Sequence, residues 1–373
     1  MIEKISYYPV QMEVAISERC NQICDYCWVN KSTHTVLSLA MFKRAVDLFL
    51  DSPISKQTIS FNCTEPLLHG DIYMKGVAYI LRRSKKLGKD VTVVTTTNCL
   101  CLHGIVQRYI QGCLREYKNF QLNVSIDGNR LSHDRHRKLL CNRHDSVFTI
   151  LSRNIEQMPR EKIRAIMTIA PSEIMAVKEN LGFILNSGFR KIDIFPQVFV
   201  LWQDASLQKI ASQIRQVYAS IGAARRQYYD IRLINRLWNL SYDSKLLCGS
   251  DARFYLFQWA LLFPLSVRKL FCIGDVRTGI DLSRRRTLMM CLVQAISDAT
   301  KGRCMACERQ AICGFPLPLF LWCFYSRRNF PKYFKNYCAF ACVWSSLVTE
   351  FERFQNQSDL VRCKAGNNKG ILP

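Results

Sequence analysis

The chain has 373 residues, 49% of them hydrophobic, with 16 glycines and 11 prolines, which excludes a disordered or collagen-like polymer and leaves room for one large domain plus a smaller one. Its formal charge of +23 predicts either attraction to acidic partners, whether acidic peptide, nucleic acid or anionic lipid, or a solvated basic surface. Eighteen cysteines with no apolar run behind Met1-Ile-Glu-Lys-Ile-Ser argue against a secreted disulfide scaffold and for reduced, metal-binding thiols in a cytoplasm.

Residues 10–17 alternate loosely and predict a first strand. At its C-terminal end follow Cys20, Cys24 and Cys27, spaced Cys-x3-Cys-x2-Cys. Three thiolates on one short loop can hold three irons of a [4Fe-4S] cube and leave the fourth iron open to a small molecule. A zinc knuckle would want a fourth ligand at close spacing, and none comes before Cys63; cysteines that only pack are the other alternative. Ser38 to Asp51 carries Leu39, Phe42, Val46, Phe49 and Leu50 at helical spacing and is closed by Pro53. Thr58 to Asn62 predicts the next strand, with a helix running to about Leu87. Val91 to Thr95, Leu122 to Ile126, Ile163 to Ile169 and Lys191 to Phe195 predict four more strands, each after a helical segment. Six strands alternating with helices imply an α/β fold with a parallel sheet and right-handed crossovers, a partial (β/α)6 TIM-like barrel whose chemistry lies at the C-terminal strand ends. Residues 203–221 predict an outward-leading helix. Phe254 to Val267 is too short to span a bilayer, which takes roughly 20 residues, and predicts a buried segment.

Ten cysteines lie beyond residue 240, too many for packing alone, and predict a smaller cysteine-rich domain. The clearest set is Cys304, Cys307 and Cys313, spaced Cys-x2-Cys-x5-Cys. Zinc remains an alternative for this set. The domains are expected at residues 1–235 and 240–350, with a tail at 351–373.

The first cysteine motif, with Tyr26 before its last cysteine, resembles the signature of the radical S-adenosylmethionine (SAM) superfamily. Asn62 to His69 resembles that family's Gly-Gly-Glu-Pro loop, keeping Glu65 and Pro66 but placing Cys63 and Thr64 where the glycines stand. Thr95 to Asn98 resembles its Thr-Asn-Gly turn, with Cys99 in the glycine place. Ser125-Ile-Asp127-Gly128 and His133-Asp134-Arg135-His136-Arg137 are similar to the Ser-Ile-Asp-Gly and His-Asp-x-x-Arg pattern of the anaerobic sulfatase-maturating and peptide maturase subfamily. The resemblance implies that Cys20, Cys24 and Cys27 carry the SAM-binding cluster. Tyr26, Glu65 and Ser125 would then lie at the cofactor, and Arg137 would pair with its carboxylate as an Arg fork suits.

The second half resembles the SPASM extension of such maturases, with one or two auxiliary [4Fe-4S] clusters. By that resemblance Cys304, Cys307, Cys313 and Cys342, or Cys338 in place of Cys342, hold an outer cluster, and Cys248, Cys272 and Cys323 an inner one. Val267 takes a glycine position of that pattern, Leu317 stands where a cysteine is expected, and Cys291 is a spare ligand. Asp275 is the candidate proton acceptor; a turn Asp at the surface is the other reading. The implied activity is modification of a peptide or protein side chain by hydrogen abstraction, with an acidic peptide partner and an external electron donor such as flavodoxin or ferredoxin. Oxidation of a small molecule and a non-catalytic iron-sulfur scaffold are the alternatives. A nucleic-acid partner, suggested by charge alone, would show binding that weakens steeply with salt.

Overall fold

A computed structural model of the chain describes residues 8–31, 33–141, 145–221, 228–233, 245–304, 306–307 and individual residues between 323 and 349. The expected ligands Cys313 and Cys342, the boundary near 235–245 and the tail from 351 lie outside the described residues. In chain order come β1 (Gln11–Val14), β2 (Gln22–Cys24), α1 (Leu39–Leu50), β3 (Lys56–Phe61), α2 (Gly70–Leu87), β4 (Asp90–Thr97), α3 (Gly104–Glu116) and β5 (Phe120–Ser125). There follow α4 (Arg130–His136), β6 (Arg137–Leu139), α5 (Val147–Ile155), β7 (Arg164–Ile169), α6 (Val177–Asn186), β8 (Lys191–Pro196), α7 (Asp204–Ser220) and β9 (Asp230–Leu233). The last elements are β10 (Lys245–Cys248), β11 (Arg253–Tyr255), β12 (Cys272–Asp275), β13 (Gly279–Ile280) and α8 (Leu282–Ala299).

These elements form two compact units. The first comprises Met1–Ser125, His133–Pro159 and Leu240–Cys307; the second comprises Ile126–Ser132, Arg160–Asn239 and Glu308–Pro373. In the first unit β10, β1, β3, β4 and β5 lie side by side and parallel, and the antiparallel strands β11, β12 and β13 extend the sheet beyond β10. The predicted strand-helix alternation is therefore present, and the expected first strand is shorter than residues 10–17.

Alternation explains which side of this sheet is core. Ile59 and Phe61 of β3 and Val93, Thr95 and Thr97 of β4 are buried, and Phe61 packs on Phe42 of α1 and Tyr73 of α2 at ring distances of 5.7 and 5.2 Å. The opposite face carries Gln11 and Glu13 of β1, with Ser60 beside Glu13 and Lys245 beside Gln11 in register. Helix α1 starts where Ser38 Oγ accepts from Met41 N at 3.3 Å, and it buries Phe42, Ala45, Val46, Phe49 and Leu50. The apolar stretch after residue 253 is buried as expected, including Phe254, Leu256, Phe257, Trp259 and Leu261.

In the second unit β7, β8 and β9 are parallel, with α6 and α7 packed together. Asp193 on β8 is buried between Arg164 of β7 at 2.8 Å and Arg232 of β9, which it accepts bidentately at 2.7 and 2.8 Å. This cross-strand ion pair accounts for Asp193 as a tie between neighbouring strands. Among the described residues no helix is long and apolar enough to cross a membrane.

Candidate functional site

The three N-terminal cysteines sit on the loop that leaves β1, and a two-stranded ladder absent from the sequence expectations organises it. Strand β2, which ends at Cys24, pairs antiparallel with β6, so that Cys24 stands opposite Arg137. Asp25 N donates to His136 O at 3.0 Å and Leu140 N donates to Asn21 O at 3.0 Å, which closes the ladder at both ends. The Arg137 guanidinium lies over the Tyr26 ring, 5.3 Å from its centroid. Cys20 and Cys24 are half-buried and Cys27 is exposed; none is in a disulfide. Burial pushes the Cys20 thiol up from its usual range, partly offset by the Gln22 backbone N–H.

A chain of hydrogen bonds ties this loop to those after β3 and β4. Thr64 Oγ1 donates to Ser17 O at 2.7 Å. Glu65, fully buried, accepts from Leu67 N at 3.0 Å, Thr97 Oγ1 at 2.9 Å and Asn98 N at 2.7 Å. The Asn98 side chain donates to Asn21 Oδ1 at 2.7 Å and approaches Cys20 Sγ at 3.7 Å. Asn21 in turn donates to Cys101 Sγ at 3.4 Å, and burial holds the Cys101 thiol up at about 11. Glu65 thus fastens two loops together from beneath.

Cys63 and Cys99, the two cysteines that stand in for glycines of the resembled motifs, have positive φ, 73° and 66°. Here residues with a Cβ adopt the left-handed backbone that favours glycine, at a local conformational cost.

Burial raises the Glu65 carboxyl from 4.5 to about 7, although its three donors pull the other way. A carboxyl held above its unfolded value binds its proton more tightly when folded. Its contribution to stability is therefore full below about pH 4.5 and is lost as pH rises through about 7, on the order of 3 kcal/mol. Urea unfolding of wild type and Glu65→Gln between about pH 5 and about pH 8 should show the wild-type advantage shrinking as pH rises. A pH-independent difference would mean that this carboxyl does not titrate with folding.

Ser125 ends β5 half-buried. Asp134 Oδ1 accepts from Phe148 N at 2.8 Å and Oδ2 from Ser146 Oγ at 2.6 Å, so the Asp of the His-Asp-x-x-Arg stretch anchors the start of α5. In the second unit Asp127 accepts from Thr168 N at 3.0 Å. There Gly128 adopts φ +143°, where an added Cβ would lie 2.2 Å from the Asn180 side chain.

The second cysteine set is less convergent. Cys248 ends β10 fully buried, its thiol pushed up to about 12 by burial. Cys272 begins β12. The register sets Cys248 beside Phe254 and Cys272 beside Tyr255, so these two cysteines lie on the strands that flank β11, with a register shift in the β11–β12 ladder between Arg253 and Tyr255. Cys304 follows α8 half-buried with its thiol at about 11, and Cys307 is exposed. Cys323 is buried with its thiol at about 11, and Cys338 is half-buried. Asp275 Oδ1 accepts from Arg277 N at 2.7 Å and Thr278 N at 2.9 Å, bonds that hold its carboxyl below the usual range and close the β12–β13 turn. Beside Cys272 opens a cavity of about 530 Å³ lined by Thr278, Asp281 and Arg284.

Two residues that the sequence reading passed over also shape the first site. Glu18, two residues before Cys20, forms a fully buried pair with Arg268. Gln22, inside the cysteine motif, is 1% exposed, and its Nε2 has no hydrogen-bond partner.

Among the described residues no three cysteine, histidine or carboxylate side chains converge on one point. The donor set nonetheless fits an iron-sulfur cluster: three unbridged thiols on one tethered loop, soft ligands with the spacing for it, beside a buried amide lacking a partner.

No family model matches the chain, and no curated protein matches its sequence. Solved structures do match. Native anSMEcpe with bound AdoMet superposes with a TM-score of 0.69 at 15% identity over 95% of this chain and 100% of that one. The same protein with AdoMet and the Cp18Cys peptide gives 0.70 at 14% over 95% and 99%. Streptococcus suis SuiB bound to its precursor peptide SuiA gives 0.51 at 12% over 83% and 72%. At such identities the likeness is one of architecture: the chain shares the α/β fold of these AdoMet-bound proteins.

Proposed function

We propose that this chain is a radical SAM enzyme that modifies a side chain of a peptide or protein. The observation that carries the reading is the β2–β6 ladder, which sets Arg137 opposite Cys24 and over Tyr26. A cofactor that binds iron through its amino and carboxylate groups needs thiolates and a carboxylate-binding cation in one place. Cys20, Cys24 and Cys27 hold the cluster, and Arg137 pairs with the SAM carboxylate through its fork of N–H donors. Tyr26 holds that guanidinium from below, Ser125 contributes a hydroxyl at the end of β5, and Glu65 keeps the flanking loops in position. When bound, the cluster and SAM supply a 5′-deoxyadenosyl radical that removes a hydrogen atom from the substrate; the chain positions the substrate and excludes water.

Cys304, Cys307, Cys313 and Cys342 or Cys338, and Cys248, Cys272 and Cys323, are proposed to carry one or two auxiliary clusters that accept an electron or hold substrate. Asp275 is proposed as proton acceptor, and a flavodoxin or ferredoxin as external donor. The AdoMet and peptides bound to the structural neighbours support a peptide substrate, and the charge of +23 supports an acidic one.

Anaerobic reconstitution with iron and sulfide, followed by an assay for 5′-deoxyadenosine with dithionite and SAM, tests this. Nucleoside should form with wild type and vanish, along with about four irons per chain, when Cys20, Cys24 and Cys27 are all replaced by alanine. Iron without nucleoside in the wild type would leave a non-catalytic scaffold.

A further inference from the structure

Gln22 lies between two of the thiols and is pinned on three sides. Its backbone pairs with Leu139 in the β2–β6 ladder, its carbonyl accepts from Lys31 Nζ at 2.9 Å, and its side chain is buried. The side-chain oxygen is 3.6 Å from Cys24 Sγ, in the geometry of a thiol donating to an amide oxygen. The other end of the amide, Nε2, has no partner. A buried N–H without an acceptor costs about 1–3 kcal/mol, so its neighbour should be a group that accepts in the functional state.

The thiol proton decides which end of the amide faces sulfur. While Cys24 is S–H, sulfur donates and the oxygen faces it. Once that sulfur ligates iron it carries no proton, and an oxygen opposite it is lone pair against lone pair. A half-turn of the amide exchanges two atoms of nearly equal size, needs no repacking, and gives the orphaned N–H its acceptor. Cys20 has a comparable neighbour, the Asn98 amide at 3.7 Å.

We infer that the Gln22 side-chain amide donates a hydrogen bond to Cys24 sulfur in the cluster-loaded protein and thereby raises the reduction potential of the first cluster. The inference rests on the proposal that Cys24 is a cluster ligand. The positive end of an N–H dipole beside sulfur stabilises the added electron, and hydrogen bonds to cluster sulfurs are one of the protein's controls on potential. Gln22 is in this sense a positioning residue, acting through Cys24.

The full chain, reconstituted anaerobically without SAM, is titrated with reductant while the EPR signal of the reduced cluster is followed, for wild type and Gln22→Leu. The leucine variant should load the same iron but reduce less readily by roughly tenfold, a midpoint lower by about 59 mV for one electron. Equal midpoints at equal iron content would overturn the Gln22 assignment and leave the enzyme reading standing. A wild type that binds no cluster would remove both. Should the leucine variant fail to load, wild type grown with side-chain 15N-glutamine decides the matter. A nitrogen coupling to the reduced cluster in pulsed EPR is expected, and its absence overturns the assignment.

Discussion

Replacing Arg268 with methionine should lower the stability of the chain by about 3–5 kcal/mol, the range for breaking one side of a buried ion pair. Arg268 and Glu18 have no solvent exposure, and the guanidinium meets the carboxylate through both terminal nitrogens, Nη2 to Oε2 at 3.0 Å. Nη2 also donates to Phe263 O at 3.0 Å, and Ser250 Oγ donates to Glu18 at 3.4 Å. Removing the cation leaves a carboxylate in a dry interior, with one hydroxyl for company. Replacing both residues, Glu18→Leu with Arg268→Met, should recover much of the loss, because it is the unpaired charge that is costly. Urea unfolding of the two single variants and the double gives the comparison. A single variant as stable as wild type would show that water reaches the pair. Because Glu18 lies two residues before Cys20, the single variants should also retain less iron after reconstitution.

Gly128→Ala should cost about 4 kcal/mol, through two effects that act together. At φ +143° a side chain is strained by about 1–3 kcal/mol. The added Cβ would also lie 2.4 Å from the Asn180 Cβ, so a rotation of the amide alone cannot make room. Asn180 is held in place from both ends of its amide: Oδ1 accepts from Asn129 N at 3.2 Å, and Nδ2 donates to Ser132 Oγ at 2.9 Å. Ser132 Oγ donates to Glu173 Oε2 at 2.6 Å. Displacing Asn180 would therefore break a relay through the buried Asn180, Ser132 and Glu173. Denaturant unfolding of Gly128→Ala alone and with Asn180→Gly, which removes the clashing Cβ, tests the account. The second change should rescue part of the loss; no rescue would assign the whole effect to the backbone.

The sequence carried the repeating parts of this molecule well. The alternation in Val91 to Thr95 is visible because β4 has one face on helices and the other away from them, and the structure extends that strand to Asp90–Thr97. The helical spacing in α1 reads the same way. What did not show was pairing between short and distant pieces. Gln22–Cys24 and Arg137–Leu139 have three residues each, too few for a period, and only the ladder reveals that the cysteine motif and Arg137 are neighbours. Glu18 and Arg268 are 250 positions apart, and nothing local to either marks it as paired. The replaced glycines misdirect for another reason. Cys63 and Cys99 stand where the resembled motifs have glycine, yet both adopt the left-handed backbone that glycine favours, so the letters alone do not show the turn.

The position of β1 also bears on when the proposed cluster can be inserted. This strand lies between β3 and β10, and its register with β10 pairs Gln11 to Val14 with Lys245 to Cys248. On the ribosome the first cysteine motif therefore emerges early but has no finished seat until the chain has grown past residue 268, where Arg268 reaches Glu18. Contacts so far apart form late, because closing a long loop must precede any gain from it. Iron supplied to the nascent chain would meet three loose thiols, and assembly machinery acting after release would meet a tethered loop. If the first motif holds the proposed cluster, its insertion is expected after synthesis, and a pulse of iron given to arrested chains shorter than 268 residues should not be retained.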